Sequence, residues 1–464
     1  MHAADTICAP ATSAGTGAIA VIRVSGPDAL AVVDRVVAFR SGTAAGAAGY
    51  TVKFGNAAGL DDVLVSIFRA PRSYTGEDAA EISCHASPYI VSALLDRLTA
   101  AGCRLAEAGE FTRRAFLNGK MDLAQAEAVA DVISSSSAAQ HRVAMNQLRG
   151  GYSAELRELR KQLLELTALM ELELDFSEED VEFADRSRLR ALLDTACSHC
   201  RQLADSFRLG NAIRNGVPVA IVGAPNSGKS TLLNALLRDD RAIVSDIPGT
   251  TRDTVEETCV LDGVLFRFID TAGIRASEDE VERLGIERTF RKLSEAEIVL
   301  GVVDISEDEQ AVSDAVRTIV ERVDFQQQKL LILANKTDKT GDNKKVTTIN
   351  FIVTFTENKL DSEKIIEISA KTGEGVDNLR SALVSQTGVA SASGTLVTNA
   401  RHAAALREAA ASLSAVSDGL DRHIPSDLLA EDLRAALASL GTITGEISSD
   451  EVLGEIFSKF CIGK

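Results

Sequence analysis

The stretch with the most explicit chemistry is "VPVAIVGAPNSGKSTLLNALL", in which Gly223 is followed after four residues by Gly228, Lys229 and Ser230. Glycines at those positions let backbone N–H groups close around phosphate oxygens, Lys229 supplies positive charge, and the Ser230 hydroxyl can ligate magnesium. An apolar strand before the loop and an amphipathic helix after it are the context such a loop requires, because the helix N-terminus favours an anion. Asn226, Ser227 and Thr231 belong to the same turn. Three further turns follow in order, each after an apolar run that reads as a strand. "VLFRFIDTAG" offers Asp270 to the magnesium shell and Gly273, with Thr271 and Ala272, to the terminal phosphate. "LLILANKTD" offers Asn335, Lys336 and Asp338, and "IIEISAK" offers Ser369, Ala370 and Lys371. Between the first and second, "SDIPGTTRD" places Thr251 to complete the magnesium shell, and Ser245, Asp246, Ile247, Pro248, Gly249 and Thr250 form a turn able to reach the phosphates.

Asp338 decides the base. A carboxylate can accept two hydrogen bonds from guanine, whose ring N–H and exocyclic amine lie side by side, whereas adenine presents an acceptor there and no amine. The mismatch would leave a charge unpaired, so GTP is preferred over ATP. Four such turns in this order predict a GTP-hydrolysing domain. Many small GTPases carry a glutamine directly after the glycine of the magnesium turn to orient water; this chain has Ile274. Catalysis then has to come from elsewhere, and the acid-rich "RASEDEVERLG" supplies Glu282 as the candidate, most of its other acids reading as a solvated helix face.

Positioning these turns takes alternating strands and helices, which the sequence supports from residue 214 to 386. Before it, residues 1–118 alternate short β-type runs such as "AIAVIRV" and "DVLVSIF" with the helical stretch "PYIVSALLDRLTAAG", an α+β domain. Residues 119–213 and 387–464 carry apolar residues at three- and four-residue spacing with few breakers, as in "LRELRKQLLELTALMELEL" and "DLLAEDLRAALASLG". The expected fold class is multidomain α/β: an N-terminal α+β domain, a discontinuous all-α helical domain in two parts, and a Ras-like P-loop α/β GTPase domain inserted between them.

Composition bounds the rest. The chain has 464 residues, 45% hydrophobic and 25% charged, and a net charge of −18, which argues against charge-driven nucleic-acid binding over the whole surface. No apolar run is long enough for a bilayer and "MHAADTICAPATSAG" lacks a signal-peptide pattern, so a cytoplasmic protein without a membrane partner is expected. Seven scattered cysteines point to reduced thiols, and "CSHC" (Cys197, His199, Cys200) reads as helix, with no second pair at metal spacing. The ending "FSKFCIGK" puts Cys461 near the terminus, yet Gly463 and Lys464 do not fit a prenylation box.

With "SDIPGTTRD", "DTAGIR", "DEVERLGIER", "NKTD" and the terminal "CIGK" on a chain of this organisation, the sequence resembles the bacterial tRNA-modification GTPases of the MnmE (TrmE) family along its whole length. The resemblance implies GTP hydrolysis coupled to installing an aminomethyl or carboxymethylaminomethyl group at carbon 5 of the wobble uridine of certain tRNAs. It implies work with the flavoprotein MnmG in a heterotetramer or larger complex, FAD and NADH entering through that partner. It also implies a one-carbon unit from a tetrahydrofolate derivative (5,10-methylene or 5-formyl), held by an N-terminal domain that forms the homodimer. Carried over, the folate-binding residues fall on Arg23, Glu81, Lys120 and Lys464, types suited to anionic glutamate tails and to a pterin edge rich in N–H groups. The resemblance further implies GTPase activation by potassium-dependent G-domain dimerisation, K⁺ being ligated by Asn226, Ser245, Ile247 and Thr250, beside Mg²⁺ on Ser230 and Thr251. The chain departs from the family at "CHAS" (Cys84 to Ser87), where a "HGG" turn is usual, and the lost glycines put that backbone in question. Cys461 is a candidate catalytic residue: its thiolate would add to uridine carbon 6, or the side chain would position folate or the partner's flavin. Alternatives are a ribosome-assembly or regulatory GTPase switch, a folate-dependent aminomethyl transferase and a scaffolding GTPase; folate binding by the first domain discriminates among them.

Overall fold

The computed structural model describes residues 5–175, 186–237, 256–269, 294–355, 364–389, 394–422, 424–458 and 460–463. The chain divides into two compact units, the first made of Met1–Ala130, Gln147–Ala184 and His423–Lys464, the second of Asp131–Asn146 and Asp185–Arg422.

In the first unit, β-branched and aliphatic residues alternating with polar ones build a seven-stranded sheet. Its strands are β1 (Ile7–Pro10), β2 (Ile19–Ser25), β3 (Ala38–Phe39), β4 (Thr51–Asn56), β5 (Asp62–Phe68), β6 (Ala79–His85) and β7 (Arg104–Leu105). Their order is β3-β4-β5-β6-β2-β1-β7, with neighbours antiparallel except β1 and β7. One face buries Ile22, Val24, Val65, Ile67 and Ile82 together with residues of the helices Ala29–Val36 and Pro88–Ala100, among them Val32, Val33, Leu94 and Leu98. The β2–β6 register sets Arg23 directly opposite Glu81 on the other face. The turn after β6, where glycines were expected, holds no positive φ, so Cys84 to Ser87 adopt conformations open to any L residue and Ser87 simply leads into the next helix.

Elsewhere in this unit the helix Gly151–Asp175 packs along Ser426–Thr444, and the last helix, Asp450–Ser458, packs on Glu110–Leu117. Leu123, Ala126, Leu453, Phe457 and Phe460 form the apolar cluster beneath it.

The second unit carries β8 (Val217–Gly223), β9 (Glu256–Leu261), β10 (Val264–Ile269), β11 (Ile298–Asp304), β12 (Lys329–Asn335) and β13 (Ile365–Glu367), in the order β13-β12-β11-β8-β10-β9. All pairs are parallel except the β9–β10 hairpin. β8, β11 and β12 are buried along nearly their whole length, as near-continuous apolar runs covered on both faces must be. The helix Glu309–Val320 starts at Asp308, whose carboxylate accepts from the Ala311 amide at 2.8 Å and so satisfies an orphan donor. The helices Arg186–Asp205 and Ala400–Asp421 pack along one another in the same unit. "CSHC" lies in the first of them, with Cys197 and Cys200 buried and the Cys197 thiol directed at the Ala410 carbonyl. All seven cysteines are free thiols, and Cys461 alone is exposed.

Candidate functional site

Three of the turns singled out in the sequence follow the C-terminal ends of β8, β12 and β13, the edge at which open parallel sheets bind ligands. The loop after β8 is shaped by contacts that leave no room for larger residues. Gly228 sits at φ +106°, and a Cβ there would come within 2.2 Å of the Asn335 amide nitrogen, so both conformation and space demand glycine. Asn226 holds φ +61°, a left-handed conformation that asparagine tolerates better than most side chains. The helix that receives the loop begins at Lys229. The Lys229 ammonium folds back on the loop, donating to the carbonyls of Gly223 at 2.9 Å and Ala224 at 2.7 Å. Ser227 is buried and its hydroxyl has no partner among the described residues, while Ser230 and Thr231 are exposed at the first turn of the helix.

Asn335, 1% exposed, ties three turns together. Its Nδ2 donates to the Ser227 carbonyl at 2.7 Å and its Oδ1 accepts from the Ala370 amide at 3.0 Å. Asp338 stands exposed in the short turn Thr337–Lys339, and the Ser369 hydroxyl donates to its Oδ1 at 2.8 Å. Lys371 is exposed beside Ala370. The structure thus hydrogen-bonds Asn335 to Ser227 and Ala370, and Asp338 to the adjacent Ser369, with Gly228 packed against the Asn335 amide. Ser245, Asp246, Ile247, Pro248, Gly249, Thr250, Thr251, Asp270, Thr271, Ala272, Gly273, Glu282 and Lys464 lie outside the described residues. Sequence reasoning missed Asp304, which ends β11 as Asn335 ends β12 and forms an ion pair with Lys336. Its position at a strand end on the same edge was the available signal.

The second constellation belongs to the first unit. Arg23 donates from Nε at 3.0 Å and from Nη2 at 2.8 Å to the same Glu81 oxygen, Oε1. The guanidinium lies 5.2 Å from the Tyr74 ring centre and 5.6 Å from that of Phe111, within cation–π range. Tyr74 in turn shares a 2.8 Å hydrogen bond with Thr112, and burial pushes its hydroxyl above the ordinary tyrosine range. The third donor, Arg23 Nη1, reaches the Gly463 carbonyl at 3.4 Å. Ile462 pairs antiparallel with Ala108, and the Gly109 amide points at the Cys461 carbonyl at 3.5 Å, so the terminal residues lie against this sheet with the Cys461 side chain exposed. Lys120 caps the neighbouring loop instead, its ammonium donating to the Pro71 carbonyl at 2.9 Å.

Beneath that loop runs a buried charge network that the sequence did not reveal. Glu110, 1% exposed, accepts from Arg104 at 2.6 Å and 3.0 Å, from Arg114 at 3.0 Å and from the Glu107 amide at 2.8 Å. Burial alone would raise its carboxyl, but the Arg104 hydrogen bonds, the Glu107 amide and Arg114 outweigh it and hold the group below its ordinary value. Arg114 also pairs with Asp5 and Glu77, and Glu77 accepts from Ser25 at 2.7 Å, fixing the base of the segment that carries Tyr74. Among the described residues no cluster of His, Cys, Asp and Glu could hold a metal, and no helix is long and apolar enough to cross a membrane.

Two family profiles cover the chain: "GTP-binding protein TrmE N-terminus" matches residues 6–120 and "MnmE helical domain" matches residues 123–461. The chain is 50% identical over 473 residues to the tRNA modification GTPase MnmE of Christiangramia forsetii, covering 99% of each. It is also 50% identical over 470 residues to that of Bacteroides thetaiotaomicron, again with 99% of both chains covered. Among solved structures, Era in complex with MgGDPNP and 16S ribosomal RNA aligns at 26% identity over 42% of this chain and 66% of its own, with a TM-score of 0.30.

Proposed function

The chain belongs to the MnmE family of tRNA-modification GTPases, and from that premise we propose that it modifies the wobble uridine of tRNA at carbon 5, spending GTP and a folate one-carbon unit in concert with the flavoprotein MnmG. Family membership brings GTP and magnesium, and the loop after β8 fits the nucleotide. A glycine stands where a Cβ would strike Asn335, an unpartnered buried serine hydroxyl lies inside the loop, and the Lys229 ammonium donates to loop carbonyls that phosphate oxygens can replace. Magnesium, when bound, would offset the charge of the phosphates, with Ser230 and Thr251 as its protein ligands. Asp338, steadied by Ser369, reads the guanine edge, and Asn335 holds that reader to the phosphate loop. Glu282 would orient the attacking water, and Asn226, Ser245, Ile247 and Thr250 would hold a potassium ion that, when bound, would supply positive charge beside the phosphates in place of an arginine finger when two G domains meet. The domains are read as 1–118 for folate binding and dimerisation, 119–213 and 387–464 for the helical domain, and 214–386 for the G domain. The protein works in the cytoplasm as a homodimer, and FAD and NADH enter through MnmG.

The observation that carries the modification reading is the meeting, in one unit, of the Arg23–Glu81 pair with the terminal segment. With Arg23 donating to one Glu81 oxygen, Oε1, the other is left to accept from a pterin N–H; Arg23, Lys120 and Lys464 suit the anionic end of a folate. Cys461, exposed beside that pair, either adds to the uridine ring or positions the reactants. Changing Cys461→Ser should abolish tRNA modification, measured by chromatography of digested tRNA nucleosides, while GTP hydrolysis stays near the wild-type rate. A serine variant that modifies at the wild-type rate would remove Cys461 from the chemistry.

A further inference from the structure

We propose that Asp304 is a positioning residue for base recognition: by holding the Lys336 ammonium, it keeps that charge away from Asp338, two residues further along the chain. The inference rests on the reading of Asp338 as the residue that recognises guanine. Asp304 is the last residue of β11 and stands in register with Asn335, the last residue of β12, so it borders the base-reading turn from the neighbouring strand. Its carboxylate is anchored independently of the lysine. Oδ1 accepts from the Ser306 amide at 3.0 Å and from the Ser306 hydroxyl at 2.6 Å, which leaves Oδ2 aimed at Lys336. The side chain is 11% exposed and that of Lys336 24%, so water screens the pair only partly. Burial pushes the Asp304 carboxyl up, but the Lys336 ammonium and the Ser306 groups outweigh it, and the acid stays ionised at neutral pH.

Lys336 also has a left-handed backbone, φ +68° and ψ +37°, at the entry to the turn that bears Asp338. Asp338 is exposed, with the Ser369 hydroxyl on Oδ1 and no hydrogen bond to Oδ2 among the described residues. Reading guanine requires both carboxylate oxygens to face the ring N–H and the amine. A compact ammonium on a flexible stem two residues away is a competitor for the same oxygens, and a fixed anion on β11 takes it out of competition.

The experiment compares GTP with ITP, whose base lacks the exocyclic amine, and uses Asp304→Asn, which keeps an oxygen for Ser306 but loses the charge. Given the strength of a partly exposed ion pair, GTP affinity should fall about fivefold while ITP affinity falls less, with kcat at saturating GTP unchanged. Adding Lys336→Met to Asp304→Asn removes the competing charge and should restore the GTP-to-ITP ratio to that of Lys336→Met alone. Thermal unfolding of each variant reports whether the fold is intact. Equal weakening for both nucleotides marks general loosening of the turn and overturns the proposal. A wild-type protein that binds GTP and ITP alike overturns the reading of Asp338 and the proposal with it. If the wild type discriminates and Asp304→Asn discriminates equally well, the proposal alone falls.

Discussion

Gly463→Ala tests whether the terminal segment is held by fit or merely lies nearby. Gly463 sits at φ +97°, and a Cβ there would be 2.0 Å from the Pro10 carbonyl oxygen and 3.0 Å from its carbon, backbone atoms that cannot swing aside. Leaving the left-handed region relieves about 1–2 kcal/mol of strain, but only by surrendering the docked conformation. The move also removes the Arg23 contact on the Gly463 carbonyl and the Ala108–Ile462 bridge, each about 0.5–1.5 kcal/mol. The wild-type chain loses those contacts equally whenever it undocks, so the change made by the substitution is the strain of holding alanine in the docked conformation: about 1–2 kcal/mol shifts the docked-to-free ratio by roughly 5- to 30-fold, and the clash with Pro10 adds to it. The variant should lose tRNA modification although it retains Cys461 and Lys464, and its GTP hydrolysis should be unchanged because the substitution lies outside the unit that carries the phosphate loop. Carboxypeptidase release of the last residues should accelerate, and exchange of the Gly109 amide, which points at the Cys461 carbonyl, should become faster. Wild-type modification together with wild-type protection of the terminus would refute the docking argument; faster release with full modification would show that docking exists but that the chemistry does not need it.

Further expectations concern the ion, the charge network and the tyrosines that report on it. GTP hydrolysis should be much faster in potassium than in sodium, and Asn226→Ala should erase that difference; equal rates of the wild type in both salts would exclude a potassium site. The Glu110 carboxyl is lower in the folded protein than its ordinary value of about 4.3, so its stabilisation is fully present above that pH and is lost as pH falls through the depressed folded value. The first unit should therefore weaken below about pH 4. Glu110→Ala should cost about 3–5 kcal/mol at neutral pH by leaving Arg114 short of a buried partner. Tyr50, Tyr74, Tyr89 and Tyr152, the chain's 4 tyrosines, all lie in the first unit, and the chain has no tryptophan, so tyrosine fluorescence in urea follows that unit alone.

What the sequence made legible is what chain-local physics dictates. The phosphate loop could be read because strand, glycines, lysine and hydroxyl fall within a dozen residues, and the same holds for the turns ending in Asp338 and Lys371. Arg23 and Glu81 were each expected through family likeness, but that the two side chains meet directly depends on strand register between positions 58 apart, which no local pattern encodes. Tyr74 and Phe111 escaped notice for the same reason, since each reaches Arg23 from a different element. The Glu110 network was hidden because charged residues in a sequence read as solvated until their neighbours are known. The missing glycines at Cys84 to Ser87 raised a question that the backbone answers, because no residue of that turn takes a positive φ.

The terminal segment's attachment also sets an order of events during synthesis. Arg23 and the Gly463 carbonyl it reaches are 440 residues apart, so the sheet around Arg23 waits for a segment synthesised 440 positions later. At roughly 5–20 residues per second that delay is about 20 to 90 seconds. During it, the second unit, drawn almost wholly from Asp185–Arg422, has every contact it needs to fold. The first unit must meanwhile persist without the helices between His423 and the terminus, leaving Phe116 and Leu123 without the Leu453 and Phe457 side chains that later cover them. The contacts gathered around Arg23 are therefore completed only once the segment around Gly463 has been made, and a chain stalled before it would already hold the loop after β8 while Arg23 still lacked that segment.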